Sequence, residues 1–248
     1  DSFLFNFGNT EAQKWMSNHI AKMVEEQGID FYRQDFNIDP LTYWRTNDSY
    51  DRQGITENLY LQGLLSYWDD LRKNHPNLRI DECAGGGRRD DLEMMRRATP
   101  LIRSDYLFEP ISQQCHHMEF ARWIPYHGAG YPGWGQNHKV ETYNFRSNMS
   151  AGLVLAFDMR LKNLDYDLAR TLCSQLKMVG NYYLGDFFPL TGYSLQNDVW
   201  MAWQYNLPDT GEGMVQVFRR DNCIESGKTF RLSGLDSSAQ YEITDIDQ

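Results

Sequence analysis

The sequence predicts an α/β fold, a parallel sheet with helical crossovers, followed by a small antiparallel β module. Short apolar runs alternate with amphipathic stretches over the first 185 or so residues. After about residue 190 the texture changes to short alternating runs separated by Gly, Asn, Asp and Ser turns. A chain of 248 residues with 41% hydrophobic content suffices for one large domain, or for one domain and a small second one.

The elements follow in order. SFLFNFG (2–8) is a short apolar run closed by Gly8, and Thr10-Glu11-Ala12-Gln13 fits a capping box. Ala12, Trp15, Met16, Ile20, Met23 and Val24 then recur at helical spacing, and Gly28 supplies the stop. GIDFYRQDF is the next strand. A helix from about Thr56 to Asn74 carries Leu59, Leu64, Leu65, Trp68 and Leu71, and Pro76 ends it. LRIDECAG (78–85) reads as a strand, GGRRDDLEMMRRA (86–98) as a Gly-rich turn entering a helix, and LIRSDY (101–106) as another strand. A Gly/Pro/aromatic loop (125–138) precedes a strand in MSAGLVLAFDM (149–159) and a helix in LKNLDYDLARTLCSQLKMVGNYY. The β module takes its strands from 199–206, 213–220, 229–235 and 240–246.

A net charge of −10 and a pI near 5.0 disfavour nucleic acid as a partner, which needs clustered Lys and Arg, and the Arg pairs at 88–89, 96–97 and 219–220 are too scattered to overturn this. No apolar run reaches the length of about 20 residues that spans a bilayer, so no membrane partner is expected. The four cysteines lack CxxC spacing, which argues against a zinc site or a disulfide scaffold, and no metal or cofactor is called for. Self-association as a homo-oligomer stays open, as does the compartment. The aromatic share of 14% suits a core, and also a cleft in which flat rings stack on a sugar.

The chemistry sits at the strand ends. Three runs finish in carboxylates, at Asp35, at Asp81/Glu82 and at Asp105. In a parallel sheet or barrel such ends converge on one rim, and two carboxylates facing one cleft are the minimum equipment for glycoside hydrolysis. The alternative reading is an Asp serving as a helix N-cap. CAGGGRRD (83–90) lets backbone approach a ligand closely, or is simply a tight turn; it is no Walker-type phosphate loop and no GxGxxG. His116 and His117 are adjacent and point apart, which suits surface or supporting roles rather than a metal face. WIPYHGAGYPGWGQNH (123–138) is either an edge wall of a sugar cleft or a packed loop.

GNTEAQKWMSNHI, GIDFYRQDFN, CAGGGRRD and RSDY, in that order, resemble the second half of the catalytic barrel of glycoside hydrolase family 36, the α-galactosidases and α-N-acetylgalactosaminidases. The resemblance covers roughly residues 1–185, with the β module as the family's C-terminal domain. It implies a (β/α)8 TIM-barrel type, partial in this chain, over 1–188, and an incomplete antiparallel β-sandwich over 189–248. It also implies a retaining mechanism on a small carbohydrate substrate. Asp35 corresponds to the nucleophile of the family's KWDMN strand and Asp105 to the acid/base of its TSD-like motif. Cys83, Gly85 and Gly86 match the family's CSGGGGR loop beside the sugar, and Arg33, Asn37 and Arg103 complete the expected substrate contacts. Arg33 replaces a Lys of the family and Arg103 a Thr, and a guanidinium is not an ammonium. The strands that carry the galactose-gripping Asp pair are not in this sequence, which starts at Asp1 and reads as a C-terminal piece. The expected activity is hydrolysis of terminal α-galactosides. An α-N-acetylgalactosaminidase or a non-catalytic carbohydrate-binding barrel fragment is the alternative.

Overall fold

A computed structural model describes residues 3–106, 109–131 and 139–247. The chain forms two compact units, Asp1–Pro100 and Leu101–Gln248.

The first unit opens on helix α1 (Thr10–Gln27). Its cap is Asn9, not Thr10: the Asn9 side-chain oxygen accepts from the amides of Glu11 and Ala12, both at 3.0 Å. Gln13, expected to reach back to the cap, turns inward and donates to Ser17 and Asp70 at 3.1 and 3.0 Å. Gly28 ends the helix at φ 63°, a left-handed angle open to glycine at little cost. Strand β1 (Phe31–Asp35) follows, then α2 (Leu41–Asn47) and the long α3 (Ile55–Asn74). Strand β2 (Arg79–Cys83) pairs parallel with β1, placing Arg33 opposite Asp81 and Asp35 opposite Cys83. After α4 (Leu92–Met95) the chain returns at Thr99, whose amide donates to the Ile80 carbonyl at 2.9 Å.

These are consecutive parallel βα units, as the alternation predicts. Alternating residues Tyr32, Gln34 and Ile80 turn toward the helices, where Phe7, Tyr60, Leu64, Tyr67, Trp68 and Leu71 form the core. Residues 3–8 form no strand; they run across α3, and Gly63 of that helix touches the Phe7 backbone so closely that a Cβ would lie 1.9 Å from its carbonyl oxygen.

The second unit holds α5 (Pro110–Trp123), β3 (Gly128–Tyr131), α6 (Thr142–Asn148), β4 (Gly152–Leu155) and α7 (Tyr166–Val179). Strands β3 and β4 pair in parallel. A single antiparallel sheet of order β5 (Asp186–Pro189), β6 (Trp200–Leu207), β7 (Glu212–Arg219) follows. Its Trp203, Tyr205 and Phe218 share a core with Met118 of α5, Phe145 of α6 and Leu172 of α7.

Three expectations fail among the described residues. LIRSDY forms no strand: it rides over β3, with the Arg103 amide donating to Gly128 O at 3.3 Å, and the Ser104 hydroxyl turns the chain by accepting from Tyr106 N at 3.1 Å. The loop 125–138 is not wholly a loop, because its Gly128–Tyr131 are strand β3; residues 132–138 lie outside the described residues. The expected β-sandwich is one three-stranded sheet, since 229–235 and 240–246 form no strands. Side chains stand in for a ladder there. Gln204 donates to Ser233 O at 2.8 Å and accepts from its amide at 2.9 Å, and Asn206 donates to Gly234 O at 3.1 Å.

Candidate active site

Strand alternation builds the site in the first unit. On β1, Arg33 and Asp35 share the face turned away from the helices. Gln34 takes the opposite face and accepts from Trp68 Nε1 at 2.7 Å, so the amide in the middle of the motif anchors the strand to α3. Tyr67 donates to the Tyr32 hydroxyl at 2.9 Å on the same side.

The Arg33 guanidinium spans two carboxylates. One nitrogen forms a short ion pair with Asp81, whose side chain is only 3% exposed, and the other lies 3.7 Å from Asp35 Oδ2. Burial pulls the Arg33 pKa down, but the bond and charge of Asp81, followed by the charges of Cys83 and Asp35, outweigh it and hold the cation above its ordinary value. Asp35 itself is exposed at the strand's carboxyl end. Cys83 is buried beside it in register, and the Phe36 amide donates to Cys83 O at 2.8 Å, carrying the pairing one residue past Asp35. Asn37 is exposed two residues beyond β1.

The loop after β2 has three consecutive left-handed residues, Gly85, Gly86 and Gly87, at φ 51°, 65° and 72°. Side chains rarely adopt one such angle, let alone three in a row. Arg89, further along, stacks over the Phe36 ring at 3.7 Å.

Arg103 and Asp105 belong to the second unit. Arg103 is 1% exposed; its guanidinium donates to Gly128 O and to the carbonyl and side-chain oxygens of Gln113, each at 3.1 Å, and lies 3.2 Å from His127 Nδ1. Burial pushes it down to about 9, with the nearby Tyr205 and Tyr183 acting in the opposite direction. Arg103 is thus a strut tying the 101–105 segment to α5 and β3, and Asp105 stands exposed two residues after it. His117, expected at a surface or supporting position, is fully buried, stacked on Trp203 at 4.7 Å and 2.9 Å from the Tyr205 hydroxyl. Burial first, and the Arg103 charge second, hold both His117 and His127 well below the usual histidine range.

Within the first unit the structure brings together Arg33, Asp35 and Cys83, with Gly85 and Gly86 following β2. Sequence reading missed the tie between Arg33 and Asp81. Each residue is visible as a strand-end charge, but their pairing depends on the β1–β2 register, which no local pattern encodes.

The melibiase family model matches residues 1–115. Alpha-galactosidase 1 of Pediococcus pentosaceus is 21% identical over 98% of this chain and 34% of its own length. Alpha-galactosidase AgaA of Geobacillus stearothermophilus is 20% identical, over 98% of this chain and 34% of that protein. The crystal structure of the latter, a glycoside hydrolase family 36 α-galactosidase, superposes with a TM-score of 0.74 at 20% identity, covering 94% of this chain and 33% of that one. The α-galactosidase from Lactobacillus brevis gives 0.76 at 18% identity, over 98% of this chain and 34% of that chain. The chain therefore spans about a third of the length of the relatives it matches. These comparisons make the chain similar to glycoside hydrolase family 36 α-galactosidases, the family that its ordered motifs resemble.

Proposed function

We propose that the protein carrying this chain is a retaining glycoside hydrolase that removes terminal α-galactosyl residues through a glycosyl-aspartate intermediate. The observation that carries the reading is Asp35, a carboxylate at the carboxyl end of β1 held beside an Arg33 cation that is itself tied to buried Asp81. The relatives' names support the substrate class. In this reading the chain contributes part of a (β/α)8 barrel over 1–188, and residues 189–248 belong to a β domain.

The ionised Asp35 attacks the anomeric carbon while Asp105 donates its proton to the departing glycosidic oxygen. Asp105 then takes a proton from water, whose oxygen attacks the same carbon and releases Asp35. Two displacements return the starting configuration. Arg33 stands 3.7 Å from the Oδ2 of that nucleophile. Asn37, Cys83, Gly85 and Gly86 line the sugar, and Arg103 acts through the segment it fixes, setting where Asp105 stands.

The test is a pair of aryl glycosides, α-galactoside and α-N-acetylgalactosaminide, given to this chain and to the longest natural polypeptide containing it. Release from the galactoside, abolished by Asp35→Asn, is expected. Preference for the N-acetyl substrate would move the reading to the alternative sugar. Binding of galactosides without turnover in the longest polypeptide would reduce it to a carbohydrate-binding barrel.

A further inference from the structure

Two carboxyl groups behind the strand end play no part in that chemistry. Glu82 is 1% exposed and, by the alternation of β2, faces away from Asp81 and Cys83. Asp90 comes eight residues later, after the three glycines. No oxygen of either carboxyl receives an N–H or O–H donor from the described residues; the two side chains meet each other instead. Both cannot be ionised there without cost, because burial and mutual repulsion act in the same direction. A single proton between them supplies the missing donor.

The surroundings fit that state. Arg89 is the cation facing Glu82, while Asp81 and Asp91 add negative charge, and Asp91 is already engaged in capping α4. From α3, Tyr60 is the titratable group in contact with Arg89. Burial, and then Asp90, raise Glu82 to about 8; burial raises Asp90 to about 6 against the opposing bond from Glu82. The loop between them has local backbone bonds, Arg88 N to Ala84 O at 3.3 Å and Asp90 N to Gly87 O at 3.2 Å. The Arg89–Phe36 stack is a second hold.

We infer that Glu82 and Asp90 share one proton and act as a latch closing the Gly85–Arg89 loop onto the end of β2. As pH rises through about 8 the shared proton leaves, two buried carboxylates repel, and the loop loosens. Both are positioning residues for the glycine backbone beside Asp35. Their relevance to turnover rests on the proposed function, whereas the latch itself does not.

Trypsin cleaves after Arg88 and Arg89, so loop opening is read by mass spectrometry as the cleavage rate there at pH 7 and pH 9, divided by the rate on a free peptide of the same sequence. For the unaltered chain this ratio should rise about tenfold across that interval. Glu82→Gln, whose amide donates to Asp90 at every pH, should give a flat ratio, and Asp90→Asn should do the same from the other side. The infrared band of a protonated carboxyl at pH 7 should vanish in both. A flat ratio in the unaltered chain, a rise retained in the variants, or no such band at pH 7 overturns the latch. If one variant does not fold, the other and the infrared band decide. A latch that behaves as described in a protein inert toward galactosides removes only the functional reading, and the converse removes only the latch.

Discussion

Replacing Gly63 by alanine should destabilise the first unit, although alanine is the better helix former. The built Cβ lies 1.9 Å from the Phe7 carbonyl oxygen and 2.6 Å from its carbon, whereas ordinary contact begins at 3.4 Å. Helix α3 and the Phe7 backbone must therefore part by about 1.5 Å, the difference between those two distances. Phe7 is 5% exposed, with its ring 5.7 Å from Tyr60 and 5.2 Å from Tyr67, so the displacement opens both contacts. Forced overpacking of this kind costs about 1–3 kcal/mol, and each loosened aromatic pair roughly 0.5–1.5 kcal/mol more. The helix-propensity gain of alanine over glycine returns only about 1 kcal/mol. The net loss should be about 1–5 kcal/mol, and at the midpoint of that range a fall in Tm of roughly 6–12 °C for a chain of this size. Urea and thermal unfolding followed by circular dichroism measure it. Gly180→Ala, where nothing lies within 4 Å and φ is −54°, is the control and should be neutral or stabilising. A Gly63→Ala protein as stable as its parent would show that the Phe7 segment does not bear on α3 as described.

The second unit should lose stability in acid. His117 and His127 are buried neutral, so the unfolded chain takes up protons below about pH 6.5 that the folded unit refuses. The urea midpoint should hold above that pH and fall beneath it, and His127→Gln should flatten the fall; an unchanged profile would argue against neutral burial. In the first unit Glu82 and Asp90 act in the opposite sense: their raised pKa values weaken folding as pH climbs from the ordinary carboxylate range through about 8, so Glu82→Gln should remove a loss measurable between pH 6 and 9. Asn9→Ala should cost about 1 kcal/mol through the lost cap of α1, read by urea unfolding. Asp105→Ala should cut turnover of poor leaving groups far more than that of activated aryl galactosides, in steady-state assays with both; equal losses would remove Asp105 from the acid/base role.

The first unit was legible because its signals are local. Helical spacing, the stop at Gly28 and the apolar approach to Asp35 each occupy fewer than about 20 residues; α3 and β2 form within two residues of the expected bounds, and β1 within three. The cap of α1 was misread by one position because Asn9 and Thr10 are both competent caps and only geometry chooses between them. The second unit was harder for the same reason in reverse. LIRSDY has a strand's composition, yet Leu101 lies against Gly128 where a Cβ would stand 2.2 Å from the Leu101 carbonyl oxygen, and Arg103 spends its side chain inside the core. The strand-like composition of 229–246 is likewise answered by Gln204 and Asn206, which bind its backbone from a distance in sequence.

The same distinction separates what the site motif said from what it concealed. FYRQDFN announces a strand that ends in charge, and its period of two explains why cation and carboxylate share a face while the amide between them reaches Trp68. The motif alone suggests that Arg33 serves Asp35. The structure gives Arg33 a nearer partner in Asp81, 48 residues away, and leaves Asp35 at 3.7 Å. A guanidinium can divide its nitrogens in this way; an ammonium on the same stem presents one centre to two carboxylates. Arg33→Lys should therefore keep the charge and lose the simultaneous hold. If the proposed chemistry is right, the defect should appear in kcat more than in KM, because a nucleophile held out of line costs the transition state more than the bound sugar. A change confined to KM would mean that Arg33 grips the substrate and that its ion pair with Asp81 merely stores it.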